Sequence, residues 1–253
     1  MNGPTVAYST HESAQETIFF DSDLLENPEL CRNAFDLKRL QNGGRITKIS
    51  HGRGPVYFIQ ISQSRSWVLR HYYRGGLIGK INTDLFLARS ARKSRAVREF
   101  LILSQLLEAG VPVPCPVAAR VVRRYGVCYS ADIITEEVPD ASTLEEKLLR
   151  GSVSDQNWVS IAQAIAHLHS SGVEHRDLNV RNILFSGSDC SVFLIDFDKS
   201  KRRSPGRWRI HSINRLLRSL EKLVSSNGGV AFTGREWQVF LDAYDYFLSL
   251  CHK

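Results

Sequence analysis

His175-Arg176-Asp177-Leu178-Asn179-Val180-Arg181-Asn182-Ile183-Leu184, with Leu194-Ile195-Asp196-Phe197-Asp198, is the stretch on which the reading of this chain turns. The first part follows Asp155–Ser171, a segment predicted as a helix because Trp158, Ile161, Ala162, Ile165 and Leu168 recur on one face until Gly172 ends it. Two short apolar runs, Asn182–Phe185 and Val192–Ile195, flank the turn Ser186-Gly187-Ser188-Asp189 and predict a small hairpin. Asp196 comes fourteen residues after Asn182, so the two would stand at the ends of that hairpin, with Asp177 just ahead of it. Phosphoryl transfer needs a carboxylate to orient the attacking hydroxyl and oxygen ligands to hold magnesium against a triphosphate. Asp177 suits the first task, as the catalytic base; Asn182 and Asp196 suit the second, as metal ligands. The plainer alternative is two turns rich in Asp and Asn. The joint spacing, directly after a helix, weighs against it.

Working outward, the C-terminal side reads as helical, with segments at about Arg209–Val224 and Arg235–Leu250. The N-terminal side reads as strand-rich. Pro55–Ile61, Ser66–Arg70 and Tyr125–Ile134 have strand character, and Ala96–Ala109 reads as a helix stopped by Gly110. The following V-P-V-P-C-P run cannot be helical. Residues 1–40 are mixed and poorly periodic, with Asn27-Pro28 read as a turn. The expectation is an α+β fold of two lobes. Residues 1–138 would form an N-terminal segment and a β-rich nucleotide-binding lobe, and residues 139–253 a helical catalytic lobe.

The chain has 253 residues, 43% of them hydrophobic and 23% charged, which excludes a disordered tail and a mini-protein held by cross-links. No stretch approaches the roughly 18 apolar residues that span a bilayer, and the first twenty residues lack the basic start and apolar core of a secretory signal. Five cysteines, far apart and without a C-x-x-C pair, argue against a disulfide framework or a zinc site and fit a reducing cytosol. A net charge of +7 implies an anionic partner. Basic residues concentrate in 70–98 and 199–222. In the second tract Ile213, Leu216, Leu217, Leu220 and Leu223 make one helical face, and His211, Arg215, Arg218 and Lys222 another. That basic face is either a solvated helix side or a contact for anionic lipid headgroups.

The quoted stretch resembles the H-R-D-L-x-x-x-N and D-F-G pattern of the protein-kinase-like fold, with Asp198 in place of the glycine. The resemblance implies a cleft for ATP between the two lobes. Trp67-Val68-Leu69-Arg70 lies where that family has V-A-I-K. Val68 and Arg70 share a strand face, so Val68 would cover adenine while Arg70 takes the phosphate role of the usual lysine. Glu99 matches the glutamate that pairs with this base. Gly52-Arg53-Gly54-Pro55-Val56 is a partial glycine-rich lid, with Gly52 and Gly54 over the phosphates; a plain hairpin turn is the other reading. Glu136, in Glu136-Glu137-Val138 at the lobe junction, would meet adenine. His167 and His169 read as packing or surface residues rather than catalytic ones.

Only 57 residues follow Asp196, and there is no A-P-E, which favours a small-molecule, sugar or lipid-linked sugar acceptor over a protein. A narrower likeness points the same way. Leu69-Arg70-His71-Tyr72-Tyr73-Arg74-Gly75-Gly76-Leu77, Arg98-Glu99-Phe100, Val111-Pro112-Val113-Pro114-Cys115-Pro116, the two quoted segments and Leu216-Leu217-Arg218-Ser219-Leu220 together resemble the bacterial 3-deoxy-D-manno-octulosonic acid (Kdo) kinases. In that family D-F-D is the normal form. The resemblance implies ATP and Mg2+ as cofactors. It implies phosphorylation of the 4-hydroxyl of Kdo on a lipid A precursor in lipopolysaccharide assembly, at the cytoplasmic face of the inner membrane. An acceptor bearing phosphates and acyl chains would account for the basic charge and for a peripheral membrane attachment. Neither nucleic acid nor an obligate protein partner is expected. A small atypical serine/threonine kinase and a non-catalytic basic pseudokinase module are the competing readings. The glycine pair after Arg74 and D-F-D weigh against the first, and the joint presence of Asp177, Asn182 and Asp196 against the second.

Overall fold

A computed structural model describes residues 7–51, 54–73, 84–87, 90–151, 153–187 and 191–251. The fold is mixed, with antiparallel sheets and seven α-helices among the described residues. The chain divides into two compact units. One lies within Thr5–Gln105 and Cys115–Glu137, the other within Leu106–Pro114 and Val138–Lys253.

The first unit is built on one antiparallel sheet of β1 (Tyr8–Glu12), β2 (Glu16–Asp21), β3 (Ile46–His51), β4 (Pro55–Gln60), β5 (Ser66–His71), β6 (Phe86–Leu87), β7 (Pro116–Arg123) and β8 (Cys128–Glu136). Its order is β1-β2-β7-β8-β5-β4-β3, with β6 on β8. Two short helices, α1 (Pro28–Ala34) and α2 (Leu37–Asn42), contribute Cys31, Ala34, Phe35 and Leu40 to a core with Ile18, Phe20, Trp67, Leu69 and Ile134. Strand alternation turns the intervening residues of β5, Val68 and Arg70, to the opposite face, the side from which α3 (Arg95–Glu108) reaches Arg70.

Residues 7–40 hold more regular structure than their pattern suggests. Asn27-Pro28, expected as a turn, starts a helix. The Asn27 side chain accepts from the Leu30 N–H at 3.0 Å, and Pro28 occupies the first turn, where its missing donor is not needed. Helices of seven and six residues are too short to show a 3.6-residue period. Several strands were also not foreseen, among them β1, β2, β3 and β7. β3 is an exposed edge whose side chains carry no alternation. The alanine-rich β7 is a strand because both its faces are covered, which overrides a weak intrinsic preference.

In the second unit β9 (Ser142–Thr143) leads into α4 (Leu144–Arg150), where Thr143 and Glu146 form a reciprocal capping box. The buried α5 (Asp155–Ser170) packs on α7 (Gly234–Leu250). β11 (Ile183–Phe185) lies between β9 and β12 (Val192–Leu194) in a three-stranded sheet. β10 (Val173–Glu174) pairs with β13 (Lys201–Arg202), and α6 (Trp208–Ser226) follows. These helices match their expected spans to within a few residues. Ser188 and Asp189 of the expected hairpin turn lie outside the described residues.

His169 of α5 is fully buried. Its Nδ1 lies 2.7 Å from the Tyr244 hydroxyl of α7, and its carbonyl accepts from Arg209 of α6 at 3.1 Å. Burial, reinforced by the Arg209 charge, pushes the imidazole pKa down to about 3. The unfolded chain then binds the extra proton between pH 6.5 and 3, so stability falls as pH drops through that window, by up to about 1.4 kcal/mol per pH unit. His169→Gln is expected to flatten this slope in urea titrations at pH 7, 6 and 5. An unchanged slope would exclude His169 as its source.

Candidate active site

The loop between β10 and β11 is organised by its own side chains. His175, 1% exposed, donates from Nε2 to the Ile195 carbonyl at 2.8 Å and accepts the Asp177 N–H at Nδ1, 3.2 Å away. These two bonds define a neutral tautomer, and burial lowers its pKa, against the opposing pull of the Ile195 carbonyl. One buried imidazole thus ties the Asp177 loop to the residue preceding Asp196. Its ring also lies 4.7 Å from that of Phe197, which is itself fully buried.

The Asp177 carbonyl accepts from the Asn182 amide at 2.8 Å and from the Asn179 amide at 2.7 Å. With its NH2 committed there, Asn182 presents its oxygen as the remaining group. Ile183 pairs with Leu194, and the Ile195 N–H bonds the Asn182 carbonyl at 3.1 Å, so Asn182 and Asp196 come together at the open end of the β11–β12 hairpin. Asp196 has φ +64°, a left-handed conformation uncommon for a residue with a side chain. An amide oxygen and a carboxylate are both hard oxygen donors of the kind that suits Mg2+. The same loop is held from two further sides. The Ser219 hydroxyl of α6 accepts the Val180 N–H at 3.3 Å, and Arg181 grips Glu145 of α4 at 2.7 Å.

In the first unit Arg70 and Glu99 meet, with Nη2 2.5 Å from Oε1. Glu99 is 2% exposed, and its other oxygen accepts from the Tyr72 hydroxyl at 2.5 Å. The Arg70 guanidinium also lies over the Tyr72 ring, 5.2 Å from its centroid. The part played by Tyr72 was not foreseen from the residues. Its signal was available, since it lies just past the end of β5, two residues from Arg70, where continued alternation puts both on one side. Val68 is half-buried on that face, paired with Phe58 and Thr135. A Cβ at Gly54 would overlap the Tyr73 ring, so any other residue there would need that ring to shift. Glu136 ends β8 with its side chain 3.1 Å from Arg65 and its N–H on the Cys115 carbonyl. Gly52, Arg74, Gly75 and Gly76 lie outside the described residues.

Two groupings thus emerge, Arg70–Glu99–Tyr72 in one unit and Asp177–Asn182–Asp196 around His175 in the other. Residues 38–244 match the family model described as "Lipopolysaccharide kinase (Kdo/WaaP) family". The chain belongs to the lipopolysaccharide kinase (Kdo/WaaP) family. Among its relatives is the 3-deoxy-D-manno-octulosonic acid kinase of Vibrio parahaemolyticus, 38% identical over 84% of this chain and 87% of that protein. The enzyme of the same name from Vibrio cholerae is 38% identical over 87% and 91%. That from Haemophilus influenzae (strain Rd) is 36% identical over 92% and 99%. A solved structure, "WaaP in complex with acyl carrier protein", shares the fold with a TM-score of 0.55 at 18% identity, covering 85% of this chain and 86% of that one. A member of this lipopolysaccharide kinase family is a phosphotransferase, and the family implies ATP as donor.

If Arg70 holds phosphate, Arg70→Ala is expected to raise the KM for ATP and lower kcat, and Arg70→Lys to retain part of both because charge survives without the planar fork. Steady-state kinetics at varied ATP check this. Wild-type values for Arg70→Ala would move the phosphate role to another base.

Proposed function

We propose that the chain transfers the γ-phosphate of ATP to the 4-hydroxyl of Kdo on a Kdo-bearing lipid A precursor, in lipopolysaccharide core assembly. The observation that carries this reading is the agreement with Kdo kinases at 36–38% identity over nearly their whole length. The proposal includes the finer fold assignment, a protein-kinase-like pair of lobes. Asp177 accepts the proton of the attacking hydroxyl as the new P–O bond forms. Asn182 and Asp196 hold Mg2+, which when bound offsets negative charge on the phosphates. Val68, Arg70, Gly54 and Glu136 face ATP, and Glu99, fixed by Tyr72, keeps Arg70 in place. The arginine is then a donor held ready before the nucleotide arrives.

Work at the cytoplasmic face of the inner membrane belongs to the same proposal. No helix among the described residues is long and apolar enough to cross a membrane, so the attachment proposed is peripheral. Sedimentation with anionic vesicles that is lost in high salt is the expected behaviour. The direct test of function is mass spectrometry of lipopolysaccharide from cells with and without the protein. Loss of one phosphate on Kdo is expected; transfer only to protein would overturn the reading.

A further inference from the structure

The basic tract 199–222 is fastened beside the catalytic loop at both ends. At its start, β13 pairs with β10, setting Lys201 opposite Glu174 and Arg202 opposite Val173, the residues that lead into His175. Toward its end, Ser219 bonds Val180, three residues beyond Asp177. Arg215 is four residues before Ser219 and Lys222 three after it. On a helix of 3.6 residues per turn both stand within about 60° of the serine, with Arg218 next on the same side. Glu221 stands about 160° from the serine but, three residues after Arg218, only about 60° from that arginine, with which it makes no ion pair among the described residues. Buried Ser212, Ile213, Leu216, Leu220 and Leu223 seat the helix and leave Arg215, Arg218 and Lys222 exposed, Arg215 and Lys222 nearest in angle to the Ser219 that meets the catalytic loop.

These three cations have no carboxylate partner among the described residues. By contrast Arg181, Arg203 and Arg235 of the same unit are each spent on an internal carboxylate. A stripe of cations without ion-pair partners among the described residues, on a helix bonded to the loop that carries Asp177, is complementary to an anion carried by the acceptor.

The geometry points to Arg215, Arg218 and Lys222 of α6 as the surface that binds the phosphorylated lipid headgroup of the acceptor, on the catalytic-loop side of the helix. This rests on the proposed function and adds the acceptor-docking site to it. Ser219 has a second consequence. It couples the docking helix to the backbone of the Asp177 loop, so seating the headgroup and positioning the base use one element.

The test compares wild type with Arg215→Gln/Arg218→Gln/Lys222→Gln, using the phosphorylated Kdo-lipid A precursor and the same precursor stripped of its lipid phosphates, both in neutral detergent micelles. Glutamine keeps helix propensity and much of the stem, and thermal unfolding checks that the variant folds. With the phosphorylated acceptor the variant's KM is expected to rise on the order of 100-fold, by analogy with about 1 kcal/mol per basic residue at an anionic surface, while the KM for ATP stays put. With the stripped acceptor the two proteins should converge. Added salt should raise the wild-type acceptor KM and leave that of the variant nearly unchanged.

No transfer by wild type to either acceptor would refute the functional reading itself. Transfer with equal acceptor KM in both proteins would refute the docking surface alone. A difference confined to anionic vesicles would assign the stripe to bulk lipid instead. Stimulation by an acidic acyl carrier protein, lost in the variant with acceptor KM unmoved, would assign it to a protein partner. Either of these last results overturns the proposal.

Discussion

Asp177→Asn is expected to lower kcat by about 10²–10⁴, the usual loss when a positioned general base is removed. The amide keeps the shape of the side chain. The bonds that shape this loop use the Asp177 backbone, its N–H to His175 and its carbonyl to Asn179 and Asn182, so they survive the change. Nucleotide affinity should therefore hold, and the loss should appear in kcat. Rapid-quench turnover beside nucleotide titration separates the two. Near-normal turnover in Asp177→Asn would remove the residue from the base role.

Asp196→Asn should behave differently. Its backbone is left-handed, with φ +64°, a region that Asn tolerates far better than Ala, so this substitution changes charge with little added strain. If Asp196 holds the metal as proposed, the substitution is expected to weaken nucleotide binding in the presence of magnesium, and to lower kcat by on the order of 10²–10³ as charge stabilisation is lost. Calorimetric titration of ATP with and without magnesium reads this directly. The wild type should gain affinity from the metal and the variant should gain much less. An equal gain in both would place the metal on other residues.

Much of the candidate site is legible in the sequence because its parts are local. Asp177 and Asn182 lie on one loop, and Asp196 is returned to them by a hairpin whose apolar runs and turn are visible as text. Glu99 could be named from a helical segment and Arg70 from a strand. That the same carboxylate also holds Tyr72 depends on α3 lying against one particular face of the sheet. The N-terminal strands and helices went unread for a related reason. β1 and β2 are fixed by antiparallel pairing, with β2 joined to β7 about a hundred residues away in the chain, and α1 and α2 are too short to announce a period.

The order of chemistry-bearing residues, the long helices and the cationic character of 199–222 were thus determined by the sequence alone, since spacing and periodicity are local properties of a chain. Tertiary structure alone decided three things. His175 became a neutral clasp between two loops because the Ile195 carbonyl is brought within 2.8 Å of its ring. Asn182 was oriented by a carbonyl five residues away that only the folded loop turns toward it. And the basic helix was set against the Asp177 loop through Ser219, a long-range contact made when the apolar face of α6 is buried.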